Sequence, residues 1–279
     1  MTTFLYAVLL LAATGLIAAV VLYFIAMKFK VEEDPRIDLV AERLPGANCG
    51  ACGKAGCRDL AKALVESNGQ TDLHCPVCSN EEWAAVADLM GMHADTCEVK
   101  IPVVRCQGGH LNSIRQTAYE GLESCAFAHS LHAGENGCSY GCLGLGDCTR
   151  ACAFNCLTMD SKTGLATVNE DRCTACGNCV KACPRGIIEL RYKHAQEGRI
   201  YVGCHTEDKG ALAMKHCLSA CIGCGKCAKS CPVGAIKVEN NLAYIDFTRC
   251  THCGTCVEVC PRKSIVATHP HPAVPASSN

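Results

Sequence analysis

Apolar residues are spread along this chain in two unlike ways. From Phe4 to Met27 there is no charged residue, and the run is overwhelmingly Leu, Ala, Val and Ile. As a helix it reaches roughly 36 Å, enough to cross a bilayer with some tilt. Tyr6 and Tyr23 lie near its ends, Lys28 and Lys30 follow it, and no Lys or Arg precedes it. Interfacial aromatics and the positive-inside rule then place the N-terminus outside and the remainder in the cytoplasm. A cleavable signal would have a basic start and a shorter apolar run, so the segment reads as a single-pass anchor. Beyond it, apolar residues come in short bursts. Asp34-Pro35 reads as a cap with proline at the first helical position, and Ile37, Val40, Ala41 and Leu44 fall on one helical face. Helices are also expected over Arg58–Glu66, Glu81–Met90 and Ser113–His132, and before Cys217. Short strands are expected at Val99–Arg105, Leu165–Val168, Ile187–Arg191, Arg199–Gly203, Ala235–Val238 and Leu242–Ile245. The fold class is α+β behind a transmembrane helix.

What interrupts these bursts is cysteine, at metal-ligand spacing. Cys221, Cys224, Cys227 and Cys231-Pro232 are followed by Cys250, Cys253, Cys256 and Cys260-Pro261. Each run is the C-x2-C-x2-C-x3-C-P of bacterial ferredoxins, whose fourth cysteine crosses to the neighbouring cluster. Cys221, Cys224, Cys227 and Cys260 are therefore expected around one [4Fe–4S] cluster, and Cys231, Cys250, Cys253 and Cys256 around a second. Zinc sites instead pair two-cysteine knuckles. An irregular copy lies upstream, with Cys138, Cys142, Cys148 and Cys152 in its first half and Cys173, Cys176, Cys179 and Cys183-Pro184 in its second. Laid on the regular copy, Cys142, Cys148 and Cys152 match Cys221, Cys227 and Cys231, while Leu145 stands where Cys224 does. The economical expectation is that Cys138 replaces the missing ligand. Cys138, Cys142, Cys148 and Cys183 would then form one set, and Cys152, Cys173, Cys176 and Cys179 the other.

A fifth set lies nearest the anchor. Cys49-Gly-Ala-Cys52-Gly-Lys-Ala-Gly-Cys57 with Cys75-Pro76 gives C-x2-C-x4-C-x17-C. Its glycines let backbone wrap close to a cluster, and the helix after Cys57 turns its positive end toward it. Four-thiolate zinc also fits this spacing, and Cys78 could stand in for Cys75. Cys78, Cys97, Cys106, Cys125, Cys156, Cys204 and Cys217 remain over. Cys106, Cys125, Cys204 and Cys217 hold related places in the repeat. They are read as buried structural thiols or as a sixth site, making the total five clusters or six.

The 27 cysteines among 279 residues would suit a disulfide scaffold in a short secreted chain, but the odd count and tight spacings oppose that here. Reduced thiolates imply a reducing compartment. The formal charge is −1, and loaded clusters make the holoprotein more acidic, which argues against nucleic acid as a partner. No catalytic residues are expected, since no serine–histidine–acid set, paired carboxylate or GxGxxG loop for NAD stands out. The divisions expected are an anchor (1–30), a [4Fe–4S] domain (31–95), a strand–helix unit (96–133), a ferredoxin-like module (134–198), a second strand–helix unit (199–216), a second module (217–267) and a disordered tail (268–279). His269 and His271 are read as solvated tail residues.

The anchor joined to Leu44–Cys57, the Cys138–Cys152 run and Val202-Gly-Cys204-His-Thr-Glu-Asp-Lys-Gly together resemble the B subunit of the Rnf complex, the ion-translocating ferredoxin:NAD oxidoreductase. The resemblance extends to about residue 267, and the chain looks like a long form with two ferredoxin modules. It implies an electron-transfer subunit on the cytoplasmic (inner) membrane. Reduced soluble ferredoxin would be the donor and the other Rnf subunits, which carry flavins and a further iron–sulfur centre, the acceptors. A separate subunit would meet NAD, and electron flow would be coupled to Na+ or H+ movement. The set of Cys49 would lie closest to the bilayer and the two modules at the donor end. The residues themselves leave open another acceptor in the same architecture, such as a redox-sensing regulator or a nitrogenase-type reductase. They also leave open a zinc-binding membrane scaffold.

Overall fold

A computed structural model describes residues 2–28, 33–93, 99–131, 134–193 and 198–268. Cys97, His269, His271 and the rest of the tail beyond Thr268 lie outside the described residues. Helix α1 (Thr2–Lys28) contains the apolar stretch, and its Val8–Ile25 portion, long enough to cross a membrane, is exposed throughout. Helices α2 (Arg36–Arg43), α3 (Cys57–Glu66) and α4 (Asn80–Met90) follow. Asp34 accepts the Arg36 N–H at 2.9 Å, as the expected cap. Ile37, Val40 and Leu44 pack with Leu60, Ala61, Leu64, Val65, Trp83 and Val86 into one core, which also buries Cys75. Ser79 and Glu82 form a reciprocal capping box on α4, satisfying two N–H groups that its first turn leaves free.

The rest of the chain repeats one plan twice. The first pass runs β1 (Lys100–Val104), α5 (Gly109–Asn112), α6 (Cys125–Ser130), α7 (Asp147–Arg150), β2 (Leu157–Met159), β3 (Ala166–Val168), α8 (Asn178–Ala182) and β4 (Ile188–Tyr192). The second runs β5 (Ile200–Val202), α9 (Gly210–His216), α10 (Lys226–Lys229), β6 (Ile236–Glu239), β7 (Leu242–Ile245), α11 (Thr255–Val259) and β8 (Ile265–Ala267). All strands pair antiparallel in twos. In each pass the strand ahead of the cysteines pairs with the strand behind them, β1 with β4 and β5 with β8. The inner strands form hairpins, β2 with β3 and β6 with β7.

The long helix expected over Ser113–His132 is not what forms. Among its described residues only Cys125–Ser130 is helical. Ser113 bridges to Cys217 and Arg115 to Asn136, and Ile114 donates its N–H to His216 and accepts from Gly137. Thr117, Tyr119 and Gly121 are poor helix formers, so tertiary partners satisfy this backbone more readily than a local helix would.

The two passes meet around Arg191 of β4, which is fully buried. Its guanidinium donates to Glu189 at 2.5 Å and to the Ile200 carbonyl at 3.1 Å. It lies 5.4 Å from the rings of both Tyr244 and Phe247. Arg105, at the end of β1, lies against the same Tyr244 ring at 5.2 Å. Cation–π contact and the bond to the Ile200 carbonyl thus clamp the first pass to the second.

Candidate metal centres

Each four-residue turn between cysteines needs backbone that L-residues seldom adopt. In the regular module Gly223 and Gly225 flank Cys224 with φ of +63° and +72°, and Gly254 follows Cys253 at +79°. The equivalent first-pass residues Gly144 and Gly146 have φ of +78° and +77°, although Leu145 between them is no ligand. The loop therefore keeps a cluster-binding path where it has lost a cysteine. Left-handed residues here turn successive N–H groups inward to form an anion-binding concavity.

Four cysteine sets surround cavities in the two passes, with a fifth cavity between them. Cys221, Cys224, Cys227 and Cys260 line a space of ≈ 370 Å³, and Cys231, Cys250, Cys253 and Cys256 one of ≈ 300 Å³. Cys152, Cys173, Cys176 and Cys179 line a third, of ≈ 270 Å³, with Cys156 beside Cys152 at 3.1 Å. These are the groupings that the spacing led one to expect. The fourth is not. Cys142, Cys148 and Cys183 share a space of ≈ 410 Å³ with Cys125, while Cys138 stands on the wall of another cavity with Cys106, Cys204 and Cys217. The reason lies in α6. Asp147 accepts from the Ala126 N–H and the Ser124 hydroxyl, and Arg150 donates to the carbonyls of Glu123 and Leu145. These bonds hold the start of α6, with Cys125 on it, against the loop that carries Leu145.

Near the anchor, Cys52, Cys57 and Cys78 pack against the core that buries Cys75. Asn48 fixes the approach of α3 by accepting the Cys57 N–H at 2.8 Å, and a side chain at Gly56 would strike that same Asn48 oxygen. The Cys78 thiol donates to Cys75, which holds Cys75 below the ordinary thiol range and pushes Cys78 up.

The donor sets fit iron–sulfur clusters rather than empty thiol pockets. Burial pushes Cys142, Cys179 and Cys256 up to about 12, and Cys148 and Cys227 up to about 11, with neighbouring thiols adding to the effect. Thiolates become tolerable in such cavities only when a cationic centre compensates them. Among the described residues no group of three or more Cys, His, Asp or Glu side chains is placed to hold a single metal ion.

Neighbouring sets are linked by a hydrogen bond and by charge. Asn178, between Cys176 and Cys179, donates to the Cys49 carbonyl at 3.2 Å, joining the anchor-proximal set to the first pass. The charge on Cys148 acts on Cys179, and that on Cys227 acts on Cys256, across the two sites of each module. Among the described cysteines only Cys224 is exposed, and Lys226 and Lys229 follow it closely in the chain.

Cysteine-lined cavities, short hairpins and left-handed cysteine loops behind an apolar helix define an iron–sulfur protein of the ferredoxin type. Family models agree: residues 220–264 match the 4Fe-4S dicluster domain, 166–189 the 4Fe-4S binding domain and 44–77 a putative Fe-S cluster family. The chain is 44% identical to the B subunit of the Na(+)-translocating ferredoxin:NAD(+) oxidoreductase complex of Acetobacterium woodii, over 86% of this chain and 71% of that one. It is 42% identical to the B subunit of the ion-translocating oxidoreductase complex of Methanosarcina acetivorans, over 86% and 89%. Against the B subunit of the proton-translocating ferredoxin:NAD(+) oxidoreductase complex of Clostridium ljungdahlii the figure is 38%, over 90% and 87%. The chain belongs to the family of B subunits of ion-translocating ferredoxin:NAD oxidoreductases.

Proposed function

We propose that this chain is the electron-accepting subunit of such a complex, tethered by α1 with its iron–sulfur domains on the cytoplasmic side and working with the other membrane subunits. One-electron transfer is the chemistry that [4Fe–4S] clusters supply when bound. The observation that carries the reading is the hydrogen bond from Asn178, between Cys176 and Cys179, to the Cys49 carbonyl, which joins the set nearest the anchor in sequence to the first module. Five ligand sets follow from the cavities and the spacing. They are Cys49, Cys52, Cys57 and Cys75; Cys125, Cys142, Cys148 and Cys183; Cys152, Cys173, Cys176 and Cys179; Cys221, Cys224, Cys227 and Cys260; and Cys231, Cys250, Cys253 and Cys256. The deeper burial of Cys75, and the hydrogen bond it accepts from Cys78, favour Cys75 as the fourth ligand near the anchor.

Reduced ferredoxin is the donor in this reading, docking where Cys224 reaches the surface near Lys226 and Lys229. NAD is met by another subunit. Stopped-flow reduction of the assembled complex by ferredoxin tests the order. Cys52→Ala is expected to leave the outer clusters reducible while electrons no longer arrive at the membrane subunits. Arrival at the wild-type rate would overturn it.

A further inference from the structure

Cys106, Cys138, Cys204 and Cys217 belong to none of the five sets, yet they line one cavity together, as the cysteines of each set in the two modules do. Their arrangement repeats across the junction of the two passes. Cys106 follows β1 as Cys204 follows β5, and Cys138 precedes Cys142 by the same four residues that separate Cys217 from Cys221. The surroundings repeat with them. The Cys106 sulfur accepts N–H groups from Gly108 at 3.4 Å and Cys142 at 3.3 Å. Cys204 accepts from the backbone of Thr206 and Cys221, the matching positions. Arg185 donates to the Cys138 carbonyl at 3.1 Å, and Arg262, its counterpart after the other Cys-Pro, to the Cys217 carbonyl at 3.2 Å. Cys217 also receives the Ser219 N–H and the Ser113 hydroxyl. A Cβ on Gly141 would lie 3.5 Å from the Cys138 sulfur and 3.7 Å from that of Cys106, so the backbone there is cleared for two sulfurs at once. His205 lines the same space, and its Nδ1 is buried without a hydrogen-bond partner.

We propose that these four cysteines hold a sixth [4Fe–4S] cluster, built half from each repeat. Structural thiols would need neither four sulfurs facing one space nor N–H donors repeated on both sides of it, whereas N–H···S bonds stabilise the charge of a thiolate-bound cluster. The site also explains how the two modules connect. Its Cys106 is bonded to the backbone of Cys142 in one module, and its Cys204 to that of Cys221 in the other. The six sets then form one line, in which this one sits between the set of Cys142 and the set of Cys221.

The proposal rests on the cluster reading of the other five sets, and iron analysis separates the two. Anaerobically purified full-length protein should hold about 24 irons and as many sulfides, against about 20 without this site. Cys106→Ala with Cys204→Ala should lower both by about four, and reduced-state EPR should lose the spin–spin broadening between the modules while the remaining clusters stay reducible. About 20 irons in the parent, unchanged in the variant, overturns the sixth site and leaves the five-cluster reading standing. Iron far below that, or zinc in its place, overturns both. If the double variant does not accumulate, the parent's count decides alone: about 24 supports the site and about 20 sinks it.

Discussion

Leu145 shows how a loop can keep its shape after losing its ligand. Gly144 and Gly146 hold the same left-handed backbone as Gly223 and Gly225, so the pocket stands ready for a sulfur that must come from elsewhere. Sequence spacing nominates Cys138, because it repeats the position of Cys217 and lies close along the chain. The tertiary structure brings Cys125 instead, since Asp147 and Arg150 pin α6 to the loop. Spacing could not show this, as Cys138, and not Cys125, repeats the four-residue offset of Cys217 from the motif. One signal was present: Asp147 and Arg150 occupy the x positions of the motif with opposite charges suited to binding backbone. If Cys125 and Cys138 serve different clusters, Cys125→Ala and Cys138→Ala should each cost about four irons and the double variant about eight. Iron assay checks this, because a shared cluster would make the double variant equal to either single one. Asp147→Ala should lower the iron content as Cys125→Ala does, with Cys125 itself still present.

At the scale of elements, the helical domain and the ferredoxin modules are held by different means. The α2–α4 core is mostly hydrocarbon, from Ile37, Val40, Leu60, Leu64, Trp83 and Val86. Leu60→Ala should cost it about 2–5 kcal/mol and Ser79→Ala about 1 kcal/mol, read from chemical or thermal unfolding of the loaded protein. The core of the first module instead includes Cys148, Cys152, Cys156 and Cys179 among its few aliphatic residues. Removing iron by anaerobic chelation should therefore abolish the strand signal of both modules in circular dichroism while most of the helical signal remains. The amphipathic helices and alternating strands were legible because each has a local period that burial enforces. The expected helix from Ser113 was misleading because its backbone bonds to residues about a hundred positions away, such as His216. No window of sequence contains that partner.

For the whole molecule, the question is what keeps the two repeats in one orientation. Arg191 links Glu189 and the Ile200 carbonyl and faces Tyr244 and Phe247, with Arg105 also against Tyr244. Arg191→Ala removes the bond to the Ile200 carbonyl and the contacts with both rings, while Glu189 keeps Arg105 as a partner, so the protein should be destabilised by about 1–3 kcal/mol. Limited proteolysis should then cut between the modules, near residue 198, sooner than in the parent. At the exposed end, Lys226→Glu with Lys229→Glu should slow reduction by ferredoxin roughly tenfold at low salt, with the difference fading as salt rises. Unchanged rates in both salts would move the docking site away from Cys224.

The cysteine motif with which each module announces itself was determined by the sequence alone, because three thiolates of each regular set lie within a few residues of one another along the chain. The same holds for the apolar anchor, whose length and lack of charge follow from the bilayer, and for the family. Only the tertiary structure decided which distant cysteines share a cavity. Cys125 reaches that of Cys142 because Asp147 and Arg150 hydrogen-bond to the backbone at the start of its short helix, and Cys106, Cys138, Cys204 and Cys217 meet where the two repeats join. Ligands separated by about a hundred residues have no mutual period. Their meeting is set by how hairpins, caps and the Arg191 clamp orient one repeat on the other.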